Sequence, residues 1–322
     1  MGAIAVHRGD ATGVDVEKTR IPAIAWVESP LQLIGAAEWA SAHRRRIPIA
    51  GRLTPQMSET ADELVARGAM FSACEPYLGI PWKLLSQHRH WLVGDGFSGQ
   101  FRLAAALLRP RRITFLDDGA NTLAYADALT GRRAYARPGV SERGMTTRVV
   151  PFAHDQILGR ALAGDVEFFT AFELGQQRNR ELADLGIRIL PHRFEWTRRT
   201  ARPFAAPGGR IILGSARPVD NRMPLPEYLR WVEAQASVAP ALYLPHRREP
   251  AEHTLLVAAI DGITVSEAHL PVELLVAGAT EPLDVITLAS STTTTLPLVL
   301  EGTGSVIRRP DADAARHDRS LG

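Results

Sequence analysis

Cysteine is nearly absent from the sequence, with Cys74 as the only one among 322 residues. A single thiol excludes an internal disulfide and a zinc site built from several cysteines, and it is typical of a reducing compartment. No apolar run reaches the roughly 18 to 20 residues that a membrane-spanning helix needs, and the polar N-terminus has no signal-peptide core. These absences predict a cytoplasmic protein with no transmembrane segment.

Lysine is almost as scarce, because only Lys18 and Lys83 occur. The 37 basic residues are therefore nearly all arginine, and the 35 acidic residues leave a net charge of only +2. So small an excess argues against nucleic acid as a partner. Two basic stretches, at residues 44–46 and 109–112, favour solvated faces, and they leave open a peripheral contact with the inner face of an anionic membrane.

The sequence also lacks the usual signs of a metal site. No His, Asp or Glu cluster has ligand spacing, and no Asp-X-Asp pair follows a predicted strand to hold a divalent ion near a diphosphate. Asp311-Ala312-Asp313 matches the Asp-X-Asp pattern but falls in the polar tail. The sequence therefore predicts neither a bound metal nor another cofactor.

The chain does contain repeated strand and helix patterns. Strands are predicted at residues 21–27, 91–93, 112–116, 210–213, 241–244 and 284–288, and helices from Pro30 and at residues 60–69, 101–108, 225–236 and 270–277. Residues 125–160 give a weak signal that suits a loop or a small antiparallel excursion. The alternation predicts an α/β fold with parallel sheets.

A stretch rich in proline and glycine, at residues 198–209, divides these units into two series. The predicted organisation is a flexible lead at 1–20, a Rossmann-like domain at 21–200, a second Rossmann-like domain at 208–308, and a flexible tail at 309–322. Two such domains facing a central cleft form the architecture of many glycosyltransferases.

Polar clusters follow four of the predicted strands, where open α/β sheets bind their ligands. They are Glu28-Ser29-Pro30-Leu31-Gln32, Asp117-Asp118-Gly119, Pro245-His246-Arg247-Arg248-Glu249, and Ser290-Ser291 followed by Thr292 to Thr295. Each cluster also has a purely structural interpretation, as a turn, a surface histidine or a helix cap. The glycine-rich loop at 94–99 also has two interpretations: it is a plain turn between a strand and a helix, or it lines the acceptor side of the cleft.

Taken together and in this order, the clusters resemble the motifs of bacterial sialyltransferases and capsule polysialyltransferases: an acidic pair before glycine, a His-Pro motif, and a Ser-Ser/Thr motif. The opening cluster at residues 28–32 and the stretch Leu213-Gly214-Ser215 leading to Tyr228 resemble the lipooligosaccharide sialyltransferase group. The likeness spans about residues 22 to 305.

The resemblance implies a GT-B type glycosyltransferase that moves sialic acid from a CMP donor to a glycan acceptor by a metal-independent, inverting displacement. Asp117 would be the general base, with Asp118 as second choice, and His246 would hold the leaving phosphate. The implied donor side comprises Gly214, Pro245, Arg247, Glu249, Ser290, Ser291 and Thr292. The implied acceptor side comprises Glu28, Ser29, Gln32, Gly119 and Asn121.

Two departures accompany the resemblance. His246 is followed by Arg247 where the family has proline, and Asp118-Gly119 is followed by Ala120 and Asn121 where the family often has small hydroxyl residues. Two alternatives therefore stay open: another nucleotide-sugar enzyme of the same fold, and a catalytically degenerate nucleotide-binding protein of a polysaccharide cluster.

Overall fold

The computed structural model describes residues 21–119, 121–137 and 150–310. The predicted lead at 1–20, Ala120, the pair Asp311 and Asp313, and all of the predicted tail beyond residue 310 lie outside the described residues.

Two parallel sheets organise the described part of the chain, and every strand pair in them runs in the same direction. The seven-stranded sheet contains β1 (Ala23–Val27), β2 (Ile47–Arg52), β3 (Phe71–Tyr77), β4 (His90–Val93), β5 (Arg112–Leu116), β6 (Val166–Thr170) and β7 (Arg188–Pro191). The five-stranded sheet contains β8 (Arg210–Leu213), β9 (Ala241–Leu244), β10 (Ile263–Val265), β11 (Asp284–Ile286) and β12 (Val306–Arg308).

Both sheets have the strand order of a Rossmann fold. The first runs β3-β2-β1-β4-β5-β6-β7, and the second runs β10-β9-β8-β11-β12. The order reverses beside the first strand of each sheet, between β1 and β4 and between β8 and β11. Ligands of open α/β sheets bind at such reversals, beyond the carboxyl ends of the strands.

Helices connect the strands in each sheet. The first half contains α1 (Pro30–Ala42), α2 (Pro55–Ala66), α3 (Trp82–Gln87), α4 (Gly99–Leu108), α5 (Asn121–Leu129), α6 (Val150–Leu162), α7 (Gln176–Asp184) and α8 (Glu195–Arg199). After a 3-10 turn at Pro207–Gly209, the second half contains α9 (Leu225–Ala236), α10 (Ala251–Ala258), α11 (Val272–Val276) and α12 (Thr292–Val299).

Local sequence explains where several of these helices begin. Ser29 occupies the N-cap of α1 and Pro30 its first turn, as the Ser-Pro pair predicted. Thr54 and Pro55 do the same for α2, and the Thr54 hydroxyl accepts a hydrogen bond from Met57 N at 3.3 Å. The prediction that this helix starts at residue 60 was wrong, because it overlooked the Thr-Pro signal.

Strands β2 and β3 were missed because proline interrupts both. Pro48 lies inside β2, where the pairing with β3 shifts register between Ile47 and Pro48. Such an irregularity lets a strand tolerate a residue that has no N–H to donate. Strand β3 contains Pro76 and is mostly exposed at the edge of the sheet, so it shows no apolar run.

Other boundaries also need correction. Residues 125–129 and 150–160 are helical, in α5 and α6, so the predicted loop or antiparallel excursion was wrong there, whereas residues 130–137 form turns and irregular backbone, as the loop prediction expected. The last strand, β12, was not predicted; it ends at Arg308 and pairs with β11. Helix α11 is shorter than the predicted 270–277, β11 ends at Ile286 rather than residue 288, and β6, α7 and β7 were not predicted at all.

One apolar cluster extends through both halves of the molecule. It includes Leu116 and Phe169 from the first sheet and Ile211 and Val285 from the second, all of them buried. Polar contacts cross the same boundary, since Arg67 Nη2 donates to Leu274 O at 3.0 Å. The two sheets are therefore held as one packed body. In the described ranges, every helix is too short or too polar to cross a lipid bilayer.

Candidate functional site

The carboxyl ends of β1, β4 and β5 bring three acidic side chains toward one place. Glu28 follows β1, Asp95 follows β4, and Asp118 follows β5. These strands are neighbours in the sheet, so their ends lie about 5 Å apart from one strand to the next. The acids therefore lie where the strand order predicts a ligand.

Asp118 is partly exposed and is held by two amide side chains. Gln32 Nε2 donates to Asp118 Oδ1 at 2.7 Å, and Asn121 Nδ2 donates to Asp118 Oδ2 at 2.9 Å. Gln32 is oriented by its own carbonyl, which accepts a 2.6 Å hydrogen bond from Glu28 N. Because both amides donate, they favour the ionised form of Asp118, the form that a general base needs.

The pKa of Asp118 is nevertheless raised above its ordinary range. Burial is the largest cause, and the hydrogen bonds from Asn121 and Gln32 oppose it. Asp95 lies near Asp118 and its pKa is raised to about 6, first by burial and then by the Asp118 charge. Its ion pair with Arg137 opposes that rise.

Asp117 has a different environment from its neighbour, because it is only 1% exposed. Its carboxylate accepts hydrogen bonds from the Thr170 hydroxyl at 2.5 Å and from Ala171 N at 2.7 Å, and it lies 3.3 Å from His192 Nδ1. These partners belong to the ends of β6 and β7. Asp117 thus joins three strand ends in the interior.

The two acids for which the resemblance implied the role of general base therefore have different surroundings. Adjacent side chains on an extended segment point to opposite sides, and here Asp117 points inward while Asp118 borders a small crevice lined also by Asp95 and Asn121. A ligand in this crevice could reach the carboxylate of Asp118, whereas that of Asp117 is enclosed by protein.

A cavity of about 380 Å³ opens beside Asp118's supporting residues. It is lined by charged, aromatic and small polar groups from β1, β2, β3 and the loop after β4, including Glu28, Arg52, Tyr77, Phe97, Ser98 and Arg137. Arg52 Nη1 lies 3.3 Å from Glu28 Oε2, so the two form an ion pair at its rim. Mixed polar and aromatic walls suit a sugar ring.

The remaining predicted acceptor-side residues fall close by. Glu28 lines the cavity, and burial together with the Asp95 charge raises its pKa. Ser29 occupies the N-cap of α1 without a side-chain hydrogen bond to the helix. The glycine-rich loop contributes Phe97, Ser98 and Gly99 to the cavity wall.

The second sheet places the other predicted residues at the ends of β8 and β9. Gly214 follows β8, and its N–H donates to Leu244 O at 2.8 Å. A Cβ at this position would lie 2.4 Å from His246 N and 2.7 Å from Glu249 Oε2. Only glycine allows this contact, so Gly214 and the Pro245–Glu249 turn form one compact wall.

His246 is held as a neutral hydrogen-bond donor. Its Nδ1 accepts a hydrogen bond from Arg248 N at 3.1 Å, which leaves the proton of the neutral ring on Nε2. Burial, and then the charges of Arg247 and Arg248, lower the pKa of His246 to about 4. At neutral pH His246 therefore presents a neutral ring with an Nε2–H group that can donate a hydrogen bond.

The two arginines of this turn differ in what they bind. Arg248 is paired with Asp220, with distances of 2.5 and 3.3 Å between guanidinium nitrogens and carboxylate oxygens. Arg247 is exposed, and no hydrogen bond or ion pair joins it to another described residue. Arg247 is therefore the cation of this turn that is accessible to an anion.

The hydroxyl-rich turn after β11 begins α12. Ser291 is its N-cap residue, but its side chain does not cap the helix. Ser290 Oγ and Thr292 Oγ1 lie 2.6 Å apart on the exposed side of the turn. Hydroxyls beside the first amides of a helix can bind a phosphate group, so the predicted donor-side residues have suitable chemistry.

The two sheets meet at this turn. Gly119 has a φ of +61°, and a Cβ added to it would lie 3.4 Å from Ser291 Cβ and 3.6 Å from Ser291 Oγ. The segment with the acidic pair and the hydroxyl-rich turn are therefore in contact range. The turn with His246 follows β9, which lies two strands from β11 and thus about 10 Å away.

Sequence reasoning missed several residues of this site. Arg52, Tyr77 and Arg137 line the cavity, yet each belongs to a segment with no recognisable motif. Thr170 and His192, which anchor Asp117, lie more than fifty positions away along the chain. Arg52 and Tyr77 each end a strand, and that position is the signal that could have drawn attention to them.

Among the residues that the structure describes, no three His, Cys, Asp or Glu side chains come together as ligands for a metal ion. The acids Glu28, Asp95 and Asp118 are engaged instead with Arg52, Arg137 and the two amides.

Comparisons with known proteins identify the fold. No protein-family model matches the chain, and no curated protein matches its sequence. The chain is similar to the structure of a proposed UDP-N-acetylglucosamine 2-epimerase from Listeria monocytogenes, with a TM-score of 0.51 and 14% identity, over 90% of this chain and 79% of that one.

Two further solved structures are less similar. A UDP-glucose:anthocyanidin 3-O-glucosyltransferase in complex with UDP gives a TM-score of 0.46 and 10% identity, over 90% of this chain and 80% of that one. MurG from Acinetobacter baumannii gives 0.34 and 11%, over 94% and 91%. The likeness to the Listeria structure and the two Rossmann-like sheets confirm the predicted GT-B fold.

Proposed function

We propose that this protein is a glycosyltransferase that moves sialic acid, or a related 2-keto sugar acid, from a CMP donor to a hydroxyl of a glycan acceptor. The observation that carries the proposal is the approach of Gly119 to Ser291, because it brings the acidic pair of one sheet to the hydroxyl-rich turn of the other. A base and a phosphate-binding turn then share one cleft, as a glycosyl transfer requires.

The proposed reaction is a single displacement with inversion. Asp118 takes the proton of the acceptor hydroxyl while that oxygen attacks the anomeric carbon of the sugar. The bond between the anomeric carbon and the phosphate oxygen breaks, and its electron pair leaves with CMP. One carboxylate suffices for this step, because it is needed only as the base and a phosphate can leave without being protonated by a second acid.

The departing phosphate would be bound by neutral hydrogen-bond donors and by one exposed cationic side chain. His246 Nε2–H, the hydroxyls of Ser291 and Thr292, and the first amides of α12 can donate to its oxygens, while Arg247 can balance its charge. Such groups can neutralise the charge of a monophosphate. We therefore propose a reaction that needs neither a metal ion nor another cofactor.

The acceptor would occupy the cavity lined by Glu28, Arg52 and Tyr77. Glu28 lines this cavity, and its N–H donates to Gln32, which in turn holds Asp118. We therefore propose that a sugar bound here directs a hydroxyl toward the base. Gln32 and Asn121 are proposed to orient Asp118, and Ser29 and Gly119 to border the path of the acceptor.

A panel of nucleotides tests the donor class. A ligand that binds only the folded state raises the melting temperature by mass action. CMP or CDP should stabilise the protein, and UDP and NAD should not. Stabilisation by UDP alone would overturn the CMP assignment and favour a UDP-sugar enzyme, the class to which the Listeria protein belongs by its name.

Catalysis itself is tested by donor hydrolysis and transfer with the wild type and with Asp118→Asn. A protein that binds CMP but shows neither activity with any acceptor would support the alternative of a degenerate nucleotide-binding protein. The replacement of the family's His-Pro by His246-Arg247 is the feature that favours this alternative.

We also propose that the protein acts in the cytoplasm and contacts the inner face of the membrane through an arginine-rich edge. Arg44, Arg46, Arg89, Arg109 and Arg111 are exposed on loops that precede β2, β4 and β5, at the edge of the sheet opposite the cleft. Such a group can attract anionic headgroups. Vesicles containing phosphatidylserine should retain the protein, and vesicles of phosphatidylcholine should not; equal retention by both would contradict the contact.

A further inference from the structure

A buried chain of hydroxyls lies beneath the donor side of the cleft. Tyr228 and Tyr243 are both completely buried, and their hydroxyl oxygens are 2.7 Å apart. The Tyr243 hydroxyl lies 2.7 and 2.8 Å from the two carboxylate oxygens of Glu249. Buried polar groups of this kind are costly unless each finds a partner, and here each does.

The chain ends on backbone amides of two different loops. Ser215 N, after β8, donates to the Tyr228 oxygen at 3.2 Å. His246 N, after β9, donates to Glu249 Oε2 at 3.1 Å. The three side chains thus connect the loop that contains Gly214 with the turn that contains His246.

The hydrogen bonds of the chain can run in only one direction. A carboxylate can only accept, so Tyr243 must donate to Glu249, and the Tyr243 oxygen must then accept the proton of Tyr228. The Tyr228 oxygen in turn accepts from Ser215 N. Burial raises the pKa of both tyrosines well above their ordinary range, so both hydroxyls keep the protons that this order requires.

The state of Glu249 agrees with this order. Burial raises the pKa of Glu249, and the hydrogen bonds from Tyr243 and His246 N oppose that rise. Both hydrogen bonds are made to the charged form of the carboxylate, which they therefore favour. The two loops also touch directly at Gly214. A Cβ at this position would collide with His246 N, so the glycine lets the backbones come this close.

We infer that Tyr228 and Tyr243 are positioning residues that act through Glu249 to fix the His246 turn against the loop after β8. The turn so fixed is the one in which Arg248 N binds His246 Nδ1 and leaves the Nε2–H group for a ligand. The part of this inference that concerns phosphate binding rests on the proposed function. The fixing of the turn does not, because every contact in it exists without a ligand.

Hydrogen exchange and CMP binding test the two parts separately. Tyr243→Phe removes the hydroxyl between Tyr228 and Glu249 but keeps the ring. We expect the amides of His246 and Ser215 in the free protein to exchange about 10-fold faster, and CMP to bind about 10-fold more weakly, because one charge-assisted hydrogen bond is lost. Glu249→Gln keeps a carbonyl acceptor for Tyr243, so its effects should be smaller than those of Glu249→Ala.

Tyr135→Phe is the matched control, since it also removes a buried tyrosine hydroxyl, one that donates to Gly96 O at 2.7 Å in the other sheet's half. It should leave both readouts unchanged. If Tyr243→Phe does not fold, Tyr228→Phe carries the test, because it keeps the bond to Glu249 and should speed exchange at Ser215 N.

The possible outcomes separate the inference from the proposed function. Faster exchange at His246 in Tyr243→Phe, in a protein whose wild type binds no CMP, would support the positioning role and overturn the CMP assignment. Unchanged exchange at both amides in Tyr243→Phe or in Tyr228→Phe, as in Tyr135→Phe, would overturn the positioning role.

Discussion

Gly119 lies against Ser291, since a Cβ added to the glycine would be in van der Waals contact with the serine, 3.4 Å from its Cβ. The glycine ends the acidic segment of the first sheet, and the serine begins the hydroxyl-rich turn of the second. Residues 172 positions apart in sequence thereby bring the two sheets into contact.

Alanine at Gly119 should impair both stability and nucleotide binding. Its φ of +61° disfavours a side chain by about 1 kcal/mol, and the new methyl group would press on Ser291. Gly131→Ala is the matched control, because Gly131 has a φ of +73° with open space around it. Both variants should lower the melting temperature, but only Gly119→Ala should weaken CMP binding in calorimetry. Equal CMP affinities would contradict the contact.

The two acids should separate into a catalytic and a structural residue. Asp118→Asn should lower the transfer rate by roughly 10²- to 10⁴-fold and leave the melting temperature almost unchanged, because it removes the proposed base at a partly exposed position. Asp117→Asn should instead destabilise the protein by about 3 kcal/mol, because an amide would oppose the donors Thr170 and Ala171 N. Rate measurements and urea unfolding distinguish them; the reverse result would restore Asp117 as the base.

Activity should depend on pH through Asp118. The base works in its ionised form, so the transfer rate should fall as the pH drops through its raised pKa. Gln32→Glu would put a like charge beside it and should move this acid limb upward by at least about one pH unit. Gln87→Glu, at an exposed position at the end of α3, serves as the control. An acid limb that is identical in all three proteins would exclude Asp118 as the titrating group.

His246 should show a fixed tautomer and little titration at neutral pH. Nitrogen chemical shifts in NMR should place the proton on Nε2, and the pKa should be about 4. Arg247→Gln should raise that pKa, because it removes a nearby positive charge. Since the folded protein binds this proton less tightly than the unfolded chain, the site should reduce stability as the pH falls from 6.5 toward 4. A titration near 6.5 would contradict the neutral ring.

Sequence patterns were informative where an element is short, buried and bounded by polar residues. Strands β5, β8 and β9 and helix α9 have the predicted bounds, because each is an apolar or amphipathic run between turn residues. For the same reason the clusters after these strands could be placed at the cleft. Proline hid β2 and β3, whose pairing depends on a local shift in register.

The finer arrangement of the site depends on tertiary contacts that no local pattern contains. Asp117 and Asp118 are the same residue type at adjacent positions, so the sequence does not distinguish them. The positions of Thr170 and His192 decide which of the two is buried. Likewise, the sequence marks His246 as a candidate residue, but the neutral state of its ring follows from burial and from the hydrogen bond that Arg248 N donates to it.

The apolar cluster that joins Leu116 and Phe169 to Ile211 and Val285 bears on how substrates enter. Wide separation of the two halves would expose this surface to water at a cost of about 25 cal/mol for each Å². Substrates should therefore reach the cleft through local loop rearrangement rather than a large hinge motion. Heating should accordingly melt the whole protein in a single calorimetric transition instead of one half at a time.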